Sequence, residues 1–190
     1  MRSVLFFLVF ICSISGALAQ SEVLARNFFD QGEFEKALKT YEELLEENPQ
    51  NTSYFFGVVQ SHQQLENFKK SEELLRQKLN NSANNPTLLI ELGHNYELQQ
   101  NTERAEQFYA EALSAVDARP NYAYSIARTF QKYSLLKYAA ETYEKAMQLN
   151  NELNFNMQLA RIYGEQGKTE LMFENYLELI EANPDFFPIA

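Results

Sequence analysis

Two rows of side chains recur along this chain at nearly constant intervals. Arg26, Gln60, His94, Arg128 and Arg161 lie 34, 34, 34 and 33 residues apart. Four residues before each come Glu22, Phe56, Ile90, Tyr124 and Met157. The first row offers guanidinium, amide and imidazole groups, which hold carboxylates through charge-assisted hydrogen bonds. The second is mostly apolar or aromatic and suits the side chains of an extended peptide. The chemistry expected of these rows is recognition: a protein or peptide partner with hydrophobic side chains and acidic groups or a terminal carboxylate.

Bond-making chemistry has little to work with. Cys12 is the single cysteine and sits in an apolar N-terminal run. His62 and His94 fall on different helical segments, and the chain has no HExxH pair, phosphate-cradling glycine loop or spaced metal ligands. Glu42-Glu43 and Glu46-Glu47 lie on one charged helical face, as a solvated surface does. The expectation is a non-catalytic protein with no cofactor and no metal. A net charge of −10 over 190 residues argues against a general binder of nucleic acid or anionic membrane.

The stretch Gly32–Pro49 displays the elements that must position the two rows. Phe34, Ala37, Leu38, Tyr41, Leu44 and Leu45 recur at steps of three and four, one face of a helix. Lys36, Lys39, Glu42, Glu43, Glu46 and Glu47 cover the opposite face. Gly32 permits the reversal before this helix, and Pro49 ends it by forcing Asn48 out of the helical region. With five prolines, six glycines and 45% hydrophobic residues, the composition fits a helical core rather than a turn-rich β fold.

That stretch returns four more times. Its small residue Ala37 is matched by Ser71, Ala105, Ala139 and Met172, and Tyr41 by Leu75, Tyr109, Tyr143 and Tyr176. Leu44 is matched by Lys78, Ala112, Ala146 and Leu179. The segment before it repeats as well. Leu24, Val58, Leu92, Ile126 and Leu159 form one set, and Ala25, Val59, Gly93, Ala127 and Ala160 the next. A ring closes each segment at Phe28, His62, Tyr96, Phe130 and Tyr163, so His62 is expected to pack rather than ligate. The spacing predicts helix pairs at 20–31 and 34–47, 53–65 and 68–80, 87–99 and 102–116, 120–133 and 136–149, and 153–165 and 169–182.

This ladder of small and aromatic positions, with Pro49 and Pro184 as terminators, resembles the tetratricopeptide repeat, a helix–turn–helix unit of 34 residues. The resemblance runs from Gln20 to about Pro184, as five repeats at about 20–51, 52–85, 86–119, 120–152 and 153–184. It implies an all-α, right-handed superhelical solenoid whose first helices (A) line a concave groove and whose second helices (B) build the stack. The groove would then carry Arg26, Phe56, Gln60, Ile90, His94, Tyr124, Arg128, Met157 and Arg161. The lysines and asparagines by which some members clamp chaperone C-termini are missing, since Glu22, Phe56, Ile90, Arg26, Gln60 and His94 stand there. Repeats two and five depart most from the pattern, at Val59, Ser71, Lys78 and Met172, and are expected to pack more loosely.

Outside the repeats, residues 1–19 read as a signal peptide. Arg2 precedes the apolar run Val4–Ile14, and Ala17-Leu18-Ala19 forms a cleavage site before Gln20. Ile11 before Cys12 argues against a lipid anchor. A cysteine-free mature chain fits the bacterial periplasm, or secretion or outer-membrane association through partners. Asn51-Thr52-Ser53 and Asn80-Asn81-Ser82 match the glycosylation pattern by chance. The tail Asp185–Ala190 is apolar and reads as the start of a further repeat, as a cap over the last helix, or as a route to self-association through the C-terminal end. Two functional classes remain open: a scaffold in the bacterial envelope, and the N-terminal arm of a larger enzyme or regulator.

Overall fold

The first helix of each pair ends where the backbone turns left-handed. In the computed structural model, residues 20–82 and 85–182 are described. The expected signal peptide and the apolar tail lie outside them. The helices are α1 (20–30), α2 (Phe34–Glu47), α3 (Thr52–Gln64), α4 (Phe68–Asn81), α5 (Pro86–Glu97), α6 (Thr102–Ala118), α7 (Ala123–Lys132), α8 (Leu136–Leu149), α9 (Asn156–Glu165) and α10 (Thr169–Ala182). No strand occurs among the described residues. The fold is an all-α helical repeat of the solenoid class.

Asparagines supply several N-caps. The Asn51 side chain accepts from the N–H groups of Ser53 and Tyr54 at 2.9 and 3.3 Å. Asn85 caps α5 through Thr87 N–H at 3.1 Å, with Pro86 at the first helical position. Asn101 caps α6 through Arg104 N–H at 3.2 Å. Each satisfies donors that the first helical turn leaves open. Asn51-Thr52-Ser53 therefore has a structural task in this chain.

Within each repeat, the turn between the two helices is the same. A residue with positive φ stands at Gly32, Glu66, Gln100, Ser134 and Gly167. The next residue's N–H then reaches back to the carbonyl of the closing ring: Glu33 to Phe28, Asn67 to His62, Asn101 to Tyr96, Leu135 to Phe130 and Lys168 to Tyr163, at 2.8 to 3.0 Å. This is the Schellman closure of a helix C-terminus, in which a left-handed residue lets orphan carbonyls find donors. Three of the five sites carry a residue with a Cβ, where glycine would sit without strain.

The chain divides into two compact units inside α4, between Gln77 and Lys78. In the first, α2 packs on α3, and Ala25, Leu44 and Tyr54 form a buried cluster flanked by Tyr41 and Leu45. Gly57 permits a close approach there: an added Cβ would run into the Tyr41 ring. Repeat two does not leave its unusual residues loose. Val59 and Ser71 are fully buried and Lys78 half-buried, and Ser71 Oγ lies buried without a hydrogen-bond partner among the described residues.

In the second unit α5 packs on α6, α7 on α8 and α9 on α10, while α6, α8 and α9 join successive pairs. Its core runs from Leu89 and Ile90 through Val116, Ile126, Phe130 and Tyr143 to Ile162 and Tyr163. Gly93 is needed because an added Cβ would collide with the Tyr109 ring. Met172, in place of the usual alanine, is accommodated by Gly164, whose Cβ would come within 3.1 Å of the Met172 sulfur. Substitution and compensation face each other across one repeat.

Two helix starts differ from the periodicity by three residues. α9 begins at Asn156 rather than 153, because Phe155 is held outside the helix: its N–H donates to Met147 Sδ at 3.3 Å and its ring lies 4.6 Å from Tyr143. The fourth repeat opens with a short 3-10 turn, Pro120–Tyr122, before α7. On α10, Phe173 and Leu177 are more than half exposed.

Candidate functional site

In the first unit the two A-helix rows meet at a cavity of about 310 Å³ between α1, α2 and α3. Arg26 and Gln60 line it, together with Glu22, Asp30, Tyr41 and Tyr54. Arg26 faces Glu22 at 3.7 Å, an exposed pair one turn apart that contributes little net stability. Tyr54 Oη donates to Glu22 at 3.2 Å, tying α3 to α1. Burial raises the Tyr41 hydroxyl above its ordinary pKa, with Arg26 pulling it back and Glu22 adding to the rise. Both phenols stay protonated at neutral pH. Phe56 stays half-buried, with its ring edge-on to Phe55 at 5.4 Å. Carboxylates and a cation thus share this cavity, which makes it mixed rather than basic.

The second unit corrects one member of the apolar row. Ile90 is expected to face the groove, but its side chain is 0% exposed and belongs to the core. The next residue, Glu91, is also buried and accepts from Lys132 Nζ at 2.8 Å and from the Tyr133 hydroxyl. That ion pair and hydrogen bond tie the end of α7 to α5, and Ile90 lies in the core cluster with Ile126 and Phe130 of α7. A buried carboxylate requires such partners.

His94 is drawn into the same cluster. Its ring stacks on Tyr133 with centroids 3.8 Å apart, and Nδ1 lies 3.7 Å from Glu97. Tyr109 Oη donates to Glu97 at 2.7 Å. Burial lowers the His94 pKa more than Glu91 and Glu97 raise it, so the ring is neutral at pH 7. Desolvation likewise holds the Tyr109 hydroxyl well above its usual value. His94 therefore adds no positive charge to the row at neutral pH. Periodicity does not single out Glu91, because charge at a core-facing helical position reads as noise. Its only signal in the sequence is an acid inside the apolar run Leu88–Leu92.

Further along this unit the rows reach solvent. Tyr124 is 52% exposed on α7, one turn before exposed Arg128. Met157 and Arg161 repeat the arrangement on α9, half-buried and exposed respectively. Neither arginine enters an ion pair among the described residues. Close to Tyr124 and Arg128 lies the fully buried Tyr143, whose hydroxyl has no hydrogen-bond partner among the described residues. Burial pushes its pKa up to about 12, with Tyr124 adding to the rise and Arg128 opposing it. This part of the surface holds uncompensated cations beside an exposed ring. Among the described residues no cluster of potential metal ligands occurs, and no helix is long and apolar enough to cross a membrane.

Comparison with known proteins agrees with the repeat. Two models described as tetratricopeptide repeat match the chain, one over residues 22–51 and the other over 86–115 and 153–186. No curated protein matches it in sequence. Among solved structures, PcrH from Pseudomonas aeruginosa is 18% identical, with 70% of this chain and 92% of that one covered and a TM-score of 0.49. PcrH in complex with the chaperone binding region of PopB gives 19% identity, 60% and 92% coverage and a TM-score of 0.48. A thermophilic TPR protein of Thermus thermophilus, TTC0263, gives 18%, 88% and 92%, and 0.46. Likenesses this remote carry no partner across.

Proposed function

We propose, from the premise that this chain is a tetratricopeptide-repeat protein, that it holds a partner segment on its A helices by pairing acidic groups with Arg128 and Arg161. The repeats support a protein-interaction scaffold. The observation that favours an acidic partner is the exposure of Arg128 and Arg161 without carboxylate partners among the described residues, in a chain of net charge −10. Exposed cations in an acidic protein ordinarily find acids one turn away, as Arg26 does with Glu22. Tyr124 and Met157 add apolar surface next to them. The partner segment is extended or helical, with carboxylates spaced to meet two neighbouring A helices and apolar side chains between them.

The setting we propose is the bacterial envelope. It rests on the signal-like segment Arg2 to Ala19 and on the lack of cysteine after Cys12. The chain acts there as a non-catalytic scaffold, reached by export.

A peptide display library screened on the intact chain tests the binding surface. Native protein is expected to enrich acidic-apolar sequences, and an Arg128→Glu, Arg161→Glu chain to lose them at least tenfold, about 1.4 kcal/mol. Enrichment unchanged by the charge reversal sinks the reading. Recovery from osmotic-shock fluid of a chain beginning at Gln20 checks the setting.

A further inference from the structure

A different face of α9 from the one carrying Met157 and Arg161 borders a second cavity, of about 340 Å³, between α8, α9 and α10. Its polar lining is rich in acceptors. Glu144 and Glu178 bring two carboxylates from different helices, and no lysine or arginine among the described residues lines the space. Of the three lining amides, Asn156, Asn175 and Gln148, two already commit an N–H donor. Asn156 Nδ2 donates to Glu178 at 3.1 Å, and Asn175 Nδ2 to the Leu171 carbonyl at 2.8 Å. Those bonds fix the orientation of both amides and leave their oxygens to act as acceptors.

Asn156 adds an independent observation. The residue is 4% exposed, lines the cavity, and its Oδ1 has no hydrogen-bond partner among the described residues. A buried acceptor without a donor keeps its desolvation cost, which a bound donor would relieve. Met147, Leu159 and Leu171 give the cavity apolar walls, suited to a methylene stem. Glu144 accepts from the Tyr163 hydroxyl, but no cation among the described residues neutralises its charge. Nearby lysines are engaged elsewhere: Lys168 lies over the Tyr163 ring at 5.4 Å, and Lys145 pairs with Asp117 at 2.7 Å.

We propose that this cavity is a binding site for a basic side chain, lysine or arginine, presented by a partner protein. The cationic N–H groups donate to Glu144, Glu178 and Asn156 Oδ1, and the stem lies along Met147, Leu159 and Leu171. The site uses neither Arg128 nor Arg161, so it stands whether or not the A-helix reading holds. It would let one scaffold engage an acidic segment on one face of α9 and a basic one on another.

Amide NMR titration of the intact chain with Nα-acetyl-lysine methylamide, the arginine analogue and the uncharged norleucine analogue tests it. Either cation is expected to shift the backbone and side-chain amides of Asn156 and Asn175, saturating on the order of 1 mM. The stronger of the two identifies the partner side chain. A Glu144→Gln, Glu178→Gln chain is expected to bind at least tenfold more weakly, with an unchanged far-UV circular dichroism spectrum and melting curve. Glutamine keeps the acceptors for Tyr163 and Asn156, so the fold survives. The proposal is overturned if neither cation shifts these amides, if norleucine shifts them equally, or if the double variant binds as the native chain does.

Discussion

Ser71 shows how one atom separates family pattern from this chain. Three equivalent positions hold Ala37, Ala105 and Ala139, all buried, and the serine adds only an oxygen. That oxygen is buried with no partner among the described residues, so it keeps a desolvation cost without a compensating bond. Ser71→Ala is therefore expected to raise stability by about 1 kcal/mol, read as an increased denaturant midpoint at unchanged slope. A fall in stability would mean that the hydroxyl does find an acceptor. Residue spacing makes Ser71 visible as a departure, but reads it as loose packing. Volume can be compared from residue names; whether a hydroxyl finds an acceptor depends on coordinates. Ile90 escapes the sequence for a similar reason. Its spacing is regular, but whether it is covered depends on distant residues such as Ile126 and Phe130, which share its core cluster.

At the scale of elements, periodicity locates the helices well. α2, α8 and α10 cover 34–47, 136–149 and 169–182, the ranges expected from spacing. Apolar steps of three and four persist through those segments and stop at turn residues, so local information suffices. α9 is shortened by tertiary contact, since Phe155 gains more from Tyr143 and Met147 than from joining the helix. Of the turns, the one at Gly32 is legible, because glycine announces positive φ. Glu66, Gln100 and Ser134 take the same conformation without the announcement. The strain this implies is open to measurement. Ser134 is exposed and left-handed, so Ser134→Gly is expected to stabilise by about 1 kcal/mol and raise Tm by ~2–4 °C. Ser134→Val should do the opposite, because a β-branched side chain tolerates positive φ poorly. Equal melting temperatures for the two would show that the turn is not left-handed in solution.

For the molecule as a whole, the two histidines predict a shared pH response. His62 lies in the first unit and His94 in the second, and burial lowers the pKa of both. Glu42 beside His62, and Glu91 and Glu97 beside His94, oppose that shift without cancelling it. The unfolded chain then binds more protons than the folded one just below the unfolded value of ~6.5, so stability falls as pH drops through that region. Calorimetry at pH 7.5 and 5.5 is expected to give the lower Tm at pH 5.5, with the difference reduced by His94→Gln. A Tm independent of pH over that range would contradict neutral burial of the rings. The recurring left-handed turn has a consequence at the same scale. Each repeat closes its helix end with its own backbone, through the carbonyl of its closing ring. The positions that distinguish one repeat from another, Tyr124 from Met157 or Arg128 from Gln60, take no part in that closure. The closure and the variable positions occupy different letters of the 34-residue word, so the surface of a repeat can be rewritten while the grammar of the fold is left alone.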